Sequence, residues 1–170
     1  MLVVMAGLPG TGKTSLARAI GVALPAPVLS VDSIERAIRL AGVGDAEPVG
    51  LAAYAVAQAL ADEELRAGHP VVADAVNVAE EARRAWQQLA EAHGVPLVVV
   101  AMRCSDERAH RDRVESRAAG ESGMPAMTWE RVQELAAQQR PWPVPGLLSL
   151  DSCEELEGNI RLTLERIWAG

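Results

Sequence analysis

The chain has 170 residues, 49% of them apolar, enough for one hydrophobic core and too few for two comfortable domains. A formal net charge of −7 argues against broad electrostatic attraction to DNA, RNA or anionic membrane. Tyr54 is the only tyrosine and phenylalanine is absent, which excludes an extended aromatic platform for stacked bases.

In chain order, Leu2-Val3-Val4-Met5-Ala6 predicts a first strand. It carries no basic leader and runs straight on, so it reads as a strand and not a signal peptide. Gly7-Leu8-Pro9-Gly10-Thr11-Gly12-Lys13-Thr14 follows, with the glycine, lysine and threonine spacing of a phosphate-binding loop. In such a loop backbone N–H groups surround phosphate oxygens, Lys13 reaches the β- and γ-phosphates, and the Thr14 hydroxyl is placed for Mg²⁺. Leu16, Ala17, Ile20 and Ala23 continue at helical spacing, which is the context the loop requires. Gly7 through Ser15 are therefore expected to bind a nucleoside triphosphate, taken as ATP.

Pro25 and Pro27 mark a turn before a short second strand, Val28-Leu29-Ser30-Val31. A helix follows from Asp32 or Ser33, and residues 42–48 form a break: either a rim near the substrate or a plain surface loop. A helix over 51–67 stops at Gly68-His69-Pro70, and Val71-Val72-Ala73-Asp74 reads as a buried third strand. Asn77-Val78-Ala79-Glu80 has capping-box spacing and opens a helix to about residue 93. Leu97–Ala101 is uniformly apolar, as in the doubly covered middle of a parallel sheet.

A charged helix is expected from Ser105 to Arg117, then a break over 120–125 and a helix from Thr128 to about Arg140. A proline-rich connector leads into Leu147–Leu150, and Ser152-Cys153-Glu154-Glu155 has a second capping-box spacing before the last helix. Cys104 and Cys153 make no CxxC metal unit and read as small buried hydrophobes. No apolar segment approaches membrane-spanning length. The alternation predicts an α/β fold: one domain over 1–170 with an open, mostly parallel five-stranded sheet covered by helices. Ligands of such sheets collect beyond the strand C-termini.

Asp32 and Asp74 follow the second and third strands, so both fall on the phosphate-loop side. A carboxylate there orients an acceptor hydroxyl and takes its proton, or holds a water on Mg²⁺; a helix cap and a turn residue are the plainer alternatives. Asn77 either joins Asp74 at the acceptor or simply caps its helix. Arg36 contacts the acceptor or is solvated helix charge. Arg108, Arg111, Arg113 and Arg117 form a basic cluster, with Arg113 and Arg117 one turn apart as the preferred pair to close over phosphates. Local pairing with Asp106, Glu107, Asp112 and Glu115 is the competing explanation. His110, four residues after Asp106, is a weak metal signature.

Together, residues 7–14, Val-Asp-Ser-Ile-Glu-Arg at 31–36, Val-Val-Ala-Asp-Ala-Val-Asn at 71–77 and Arg-Asp-Arg-Val-Glu-Ser-Arg at 111–117 resemble a group of small phosphate-loop kinases. These are the polynucleotide-kinase-like and chloramphenicol-phosphotransferase-like proteins. The resemblance implies a P-loop NTPase fold with an arginine-bearing lid within 108–127. It implies that Lys13 stabilises the transferring phosphate, Thr14 ligates Mg²⁺, Asp32 activates the acceptor and Asp74 supports acceptor or metal. Arg113 and Arg117 would belong to the lid. Polynucleotide-kinase-like members often have arginine three residues after the second-strand Asp; here Glu35 stands there, with Arg36 next. That departure and the acidic charge point to a small-molecule hydroxyl acceptor over a nucleic-acid end. A partner-regulated NTPase and a nucleotide-binding regulatory module remain alternatives. The protein is expected in the cytoplasm, without membrane partners, as a monomer or small homo-oligomer.

Overall fold

The computed structural model describes residues 1–43, 49–118 and 126–169, apart from the side chains of residues 117 and 118. Of the breaks expected over 42–48 and 120–125, residues 44–48 and all of 120–125 thus lie outside the described residues. Five strands, β1 (Leu2–Ala6), β2 (Val28–Ser30), β3 (Val71–Asp74), β4 (Leu97–Arg103) and β5 (Leu148–Asp151), form one sheet in the order β2-β3-β1-β4-β5. Every ladder is parallel. The helices are α1 (Lys13–Ala23), α2 (Val31–Leu40), α3 (Val49–Arg66), α4 (Glu80–Ala92), α5 (Glu107–Ala118), α6 (Trp129–Gln138) and α7 (Leu156–Trp168).

The order places β1 in the middle because the connection from β1 to β2 passes β3 and that from β3 to β4 passes β1. The loop after β1 therefore opens between the ends of β3 and β4, where α/β sheets hold ligands. All of β1 is buried. Its alternation sends Leu2, Val4 and Ala6 to one face with Ala53, Ala57, Ala61 and Trp86, and Val3 and Met5 to the other with Leu16, Ile20 and Ile167. On α3, Ala53, Ala57 and Ala61 recur every fourth residue, and these small side chains let the helix lie close against the sheet.

Trp86 is fully buried, and its Nε1–H donates to Asn77 Oδ1 at 3.0 Å. Trp86→Ala removes that packing and leaves the Asn77 oxygen without its donor, so a loss of about 3–5 kcal/mol of stability is expected. Denaturant unfolding checks it; a loss below about 1 kcal/mol would mean that the site collapses around the smaller side chain.

Candidate active site

The phosphate loop needs its glycines for two separate reasons. A Cβ on Gly7, at φ +135°, would stand 2.2 Å from the Met102 carbonyl oxygen, so β4 leaves no room for one. Gly10, at φ +82°, lies under α5, where a Cβ would meet Val114 Cγ2 at 2.7 Å. Within the loop the Leu8 carbonyl accepts from Thr11 Oγ1 and from Lys13 Nζ, each at 2.8 Å. Gly12 caps α1 without a side-chain hydrogen bond, and the leading N–H groups of the helix face the loop. Such a helix start takes an anion.

The Thr14 hydroxyl donates to Asp74 Oδ2 at 2.7 Å. The two are 60 residues apart, and they meet because Met5 pairs with Asp74 in the β1–β3 register. A hydroxyl and a carboxylate are the hard oxygen donors a Mg²⁺ ion takes, and Lys13 supplies positive charge beside them. The residues present fit the phosphates of a nucleotide and a divalent cation. A cleft of about 350 Å³ lies over this loop, with Gly12, Lys13, Thr14, Asp32, Arg113 and Ser152 in its wall.

A larger cleft of about 910 Å³ adjoins it, and Pro9, Gly10 and Asp32 line both. Its other walls include Val31, Glu35, Tyr54, Val78, Arg83 and Arg131. Ser30 caps α2, accepting from Ser33 N, and Asp32 stands exposed in the first helical turn, at the seam between the clefts. Glu35 turns the same way and pairs with Arg39 at 2.8 Å. Arg36 is exposed and lines neither cleft. Tyr54 Oη accepts from Asn77 N at 3.0 Å. Burial, reinforced by the charges of Asp32, Asp74 and Glu35, pushes the Tyr54 phenol up to about 12 against that N–H. The phenol therefore keeps its proton at neutral pH.

Asp74 and Asn77 stand behind the cleft walls. Asp74 is buried and reaches the loop through Thr14. Asn77 is not a helix cap: α4 begins at Glu80, with Ala79 at its N-cap and no side-chain bond there. The Asn77 side chain is buried, donating from Nδ2 to Met5 O at 2.7 Å and accepting from Trp86. Its φ of +54°, a conformation asparagine tolerates, turns the chain so that Val76 and Val78 face the cleft. The second expected capping box also differs, for α7 starts after Glu155 with no side-chain cap.

The basic helix is divided in its roles. Arg113 donates to Ser152 Oγ at 2.8 Å and Ser152 O at 3.3 Å, which holds its guanidinium at the edge of the smaller cleft. Arg111 pairs with Glu115 on the surface. The Arg117 side chain lies outside the described residues. His110 is buried with Nε2 at 2.7 Å from Pro9 O and its ring edge-on to Trp129, centroids 5.1 Å apart. A carbonyl only accepts, so Nε2 carries the proton. Asp106 instead caps α5, accepting from Ala109 N at 3.0 Å. His110 and Val114 thus seat α5 on the phosphate loop.

Arg83, buried in the wall of the larger cleft, donates to the carbonyls of Val78, Arg140 and Pro141 and ties α4 to the connector after α6. Tyr54 and Arg83 carry no local motif and emerge only from the packed structure; Glu35 lies in the 31–36 segment, but its place in the cleft wall comes from the packing. The cysteines correct another expectation: Cys153 is exposed, Cys104 is half-buried, and neither is a core hydrophobe.

The profile of the AAA-domain family matches residues 2–140. An uncharacterized protein of Mycobacterium tuberculosis (strain H37Rv) is 35% identical over 156 residues, which is 83% of this chain and 30% of that protein. The chain thus spans under a third of the length of the curated relatives it matches. A provisionally assigned kinase from Chloroflexus aurantiacus superposes with a TM-score of 0.78 at 22% identity, covering 99% of this chain and 96% of the other. Kti12 of Chaetomium thermophilum, in complex with ADP-AlF3, gives 0.72 at 22%, covering 99% and 98%. The Mycobacterium tuberculosis APS kinase CysC, in complex with AMPPNP and APS, gives 0.69 at 18%, covering 98% and 96%. These likenesses show the fold alone, an α/β domain with a five-stranded parallel sheet flanked by helices. Among the described residues no helix is long and apolar enough to cross a membrane.

Proposed function

The chain belongs to the AAA-domain family, and we propose that it transfers the γ-phosphoryl group of ATP to a hydroxyl of a small molecule in the cytoplasm. The observation that carries this is the pair of adjoining clefts with Asp32 in the wall of both. Hydrolysis needs only a water beside the terminal phosphate. A second cleft of about 910 Å³ at that point has the size of a metabolite site.

The placement of the residues supports the roles proposed for them. The loop N–H groups and Lys13 hold the phosphates, and Lys13 offsets charge on the moving group. Thr14, backed by Asp74, would hold a divalent cation, which neutralises phosphate charge when bound. Asp32 orients the acceptor hydroxyl and takes its proton. Strong basicity is unnecessary, because phosphoryl transfer asks mainly for positioning and charge stabilisation. Arg113 steadies the phosphates from α5, and the resemblance assigns Arg117 the same task. Asn77 is a positioning residue, since its amide is occupied behind the cleft wall. Arg36 serves at most the cleft entrance. Within the resembling kinases, the small-molecule branch fits better than the polynucleotide branch, given the net charge of −7 and Glu35 in place of arginine. A monomer or small homo-oligomer suffices for this chemistry.

The test is Mg²⁺-dependent ATP consumption with product mass detection, across pooled alcohol-bearing metabolites, nucleosides, antibiotics and 5′-hydroxyl oligonucleotides. A small molecule gaining one phosphoryl group is the expected result. Consumption yielding only inorganic phosphate would contradict the kinase assignment in favour of a partner-regulated NTPase, and labelling of the oligonucleotide alone would move the acceptor to nucleic acid.

A further inference from the structure

The turn after β5 and the end of β4 bring two thiols together beside the nucleotide cleft. Cys104 Sγ and Cys153 Sγ are 3.6 Å apart although 49 residues separate them. Their backbones are fastened in place independently of the sulfurs. Asp151 Oδ1 accepts from both Ser105 N, at 3.1 Å, and Cys153 N, at 3.0 Å. Ser152 N donates to Arg103 O at 2.8 Å. A disulfide requires the sulfurs to close to roughly 2.05 Å, an approach of about 1.5 Å from where they stand.

The same turn touches the phosphate loop. A Cβ on Gly12 would stand 3.2 Å from Ser152 Cβ, and Ser152 holds Arg113. The Arg113 guanidinium also reaches Cys104 Sγ at 3.7 Å. Arg113 thus touches both the Cys104 sulfur and Ser152, the residue before Cys153.

We propose that Cys104 and Cys153 form a reversible modification site for low-molecular-weight disulfides, and that closing it loosens nucleotide binding through Ser152 and Arg113. Cys153 is the exposed partner and is poised to attack. Hydrogen bonds from Ser105 and the Asp106 N–H hold its thiol below the ordinary range, whereas burial raises that of Cys104. The Cys153 thiol loses its proton, and the thiolate attacks one sulfur of the reagent and expels the first small thiolate. Cys104, also deprotonated, then attacks Cys153 Sγ and expels the second. The two small thiolates take up the two protons. Two protein thiols are oxidised and one small disulfide is reduced to two thiols.

The full chain is incubated with oxidised glutathione under native conditions and followed by intact mass and peptide mapping. The expected product has lost two hydrogens and carries a Cys104–Cys153 link that dithiothreitol reverses. C104S stops at a glutathione adduct on Cys153, and C153S forms no link. A wild-type chain that stays unmodified, or stops at a mixed disulfide, overturns the site. The coupling rests on the proposed nucleotide role and is read separately as the Kd for Mg-ATP. It should rise roughly fivefold on oxidation, as loss of one hydrogen bond's net contribution would give, and recover on reduction. An unchanged Kd in the linked protein overturns the coupling. Absence of ATP binding in the reduced chain overturns both the coupling and the nucleotide role, while the mass measurement still decides the site.

Discussion

Lys13→Ala is expected to lower phosphoryl transfer by about a thousandfold while leaving the fold intact. Lys13 is buried, with its Nζ 2.8 Å from Leu8 O in the wall of the nucleotide cleft. The ammonium therefore acts where water screens it poorly, and a charge placed there weighs far more than one on an exposed surface. Alanine fits the first turn of α1, so the backbone loop persists and some ADP binding should survive. Single-turnover transfer on protein with an unchanged melting temperature checks this. Near-normal turnover would remove Lys13 from the reaction.

Asp32→Asn is expected to lower kcat by about a hundred- to ten-thousandfold, with the Kd for ATP changed no more than about threefold. The amide keeps the shape of the carboxylate but neither accepts the hydroxyl proton nor carries its charge. Asp32 stands at the seam of the two clefts and not in the phosphate loop, so its loss should fall on transfer and spare nucleotide binding. Comparing kcat with nucleotide Kd separates the outcomes. Lost affinity with turnover preserved would place Asp32 in nucleotide binding instead.

Much of the candidate site is legible because its residues are contiguous. Residues 7–15 carry loop, cation and hydroxyl within one turn between a strand and a helix, and Asp32 and Asp74 are strand-end residues in a parallel sheet. The basic cluster of α5 marks Arg113 and Arg117 by their one-turn spacing, and the resemblance implies the same pair. The capping-box expectations fail for a physical reason: a short side chain near a helix start has more than one partner within reach. Asn77 and Glu80 have capping-box spacing, yet the amide of Asn77 bonds to Met5 O, 72 residues away, and Trp86 Nε1 completes its pairing. His110, a weak metal signature by its spacing from Asp106, meets Pro9 O, 101 residues earlier, through the fold. Tyr54, Glu35 and Arg83 reach the larger cleft by tertiary packing alone. The two cysteines looked like core filler because nothing local tells that β4 and β5 end side by side.

The arrangement of two clefts meeting at Asp32 is tested most directly by a crystal structure with Mg²⁺ and a non-hydrolysable ATP analogue. The account predicts the β- and γ-phosphates on the loop N–H groups and Lys13, the cation on Thr14 Oγ1, and the terminal phosphate facing Asp32 and the larger cleft. An analogue bound elsewhere, or a terminal phosphate turned away from that cleft, would contradict it.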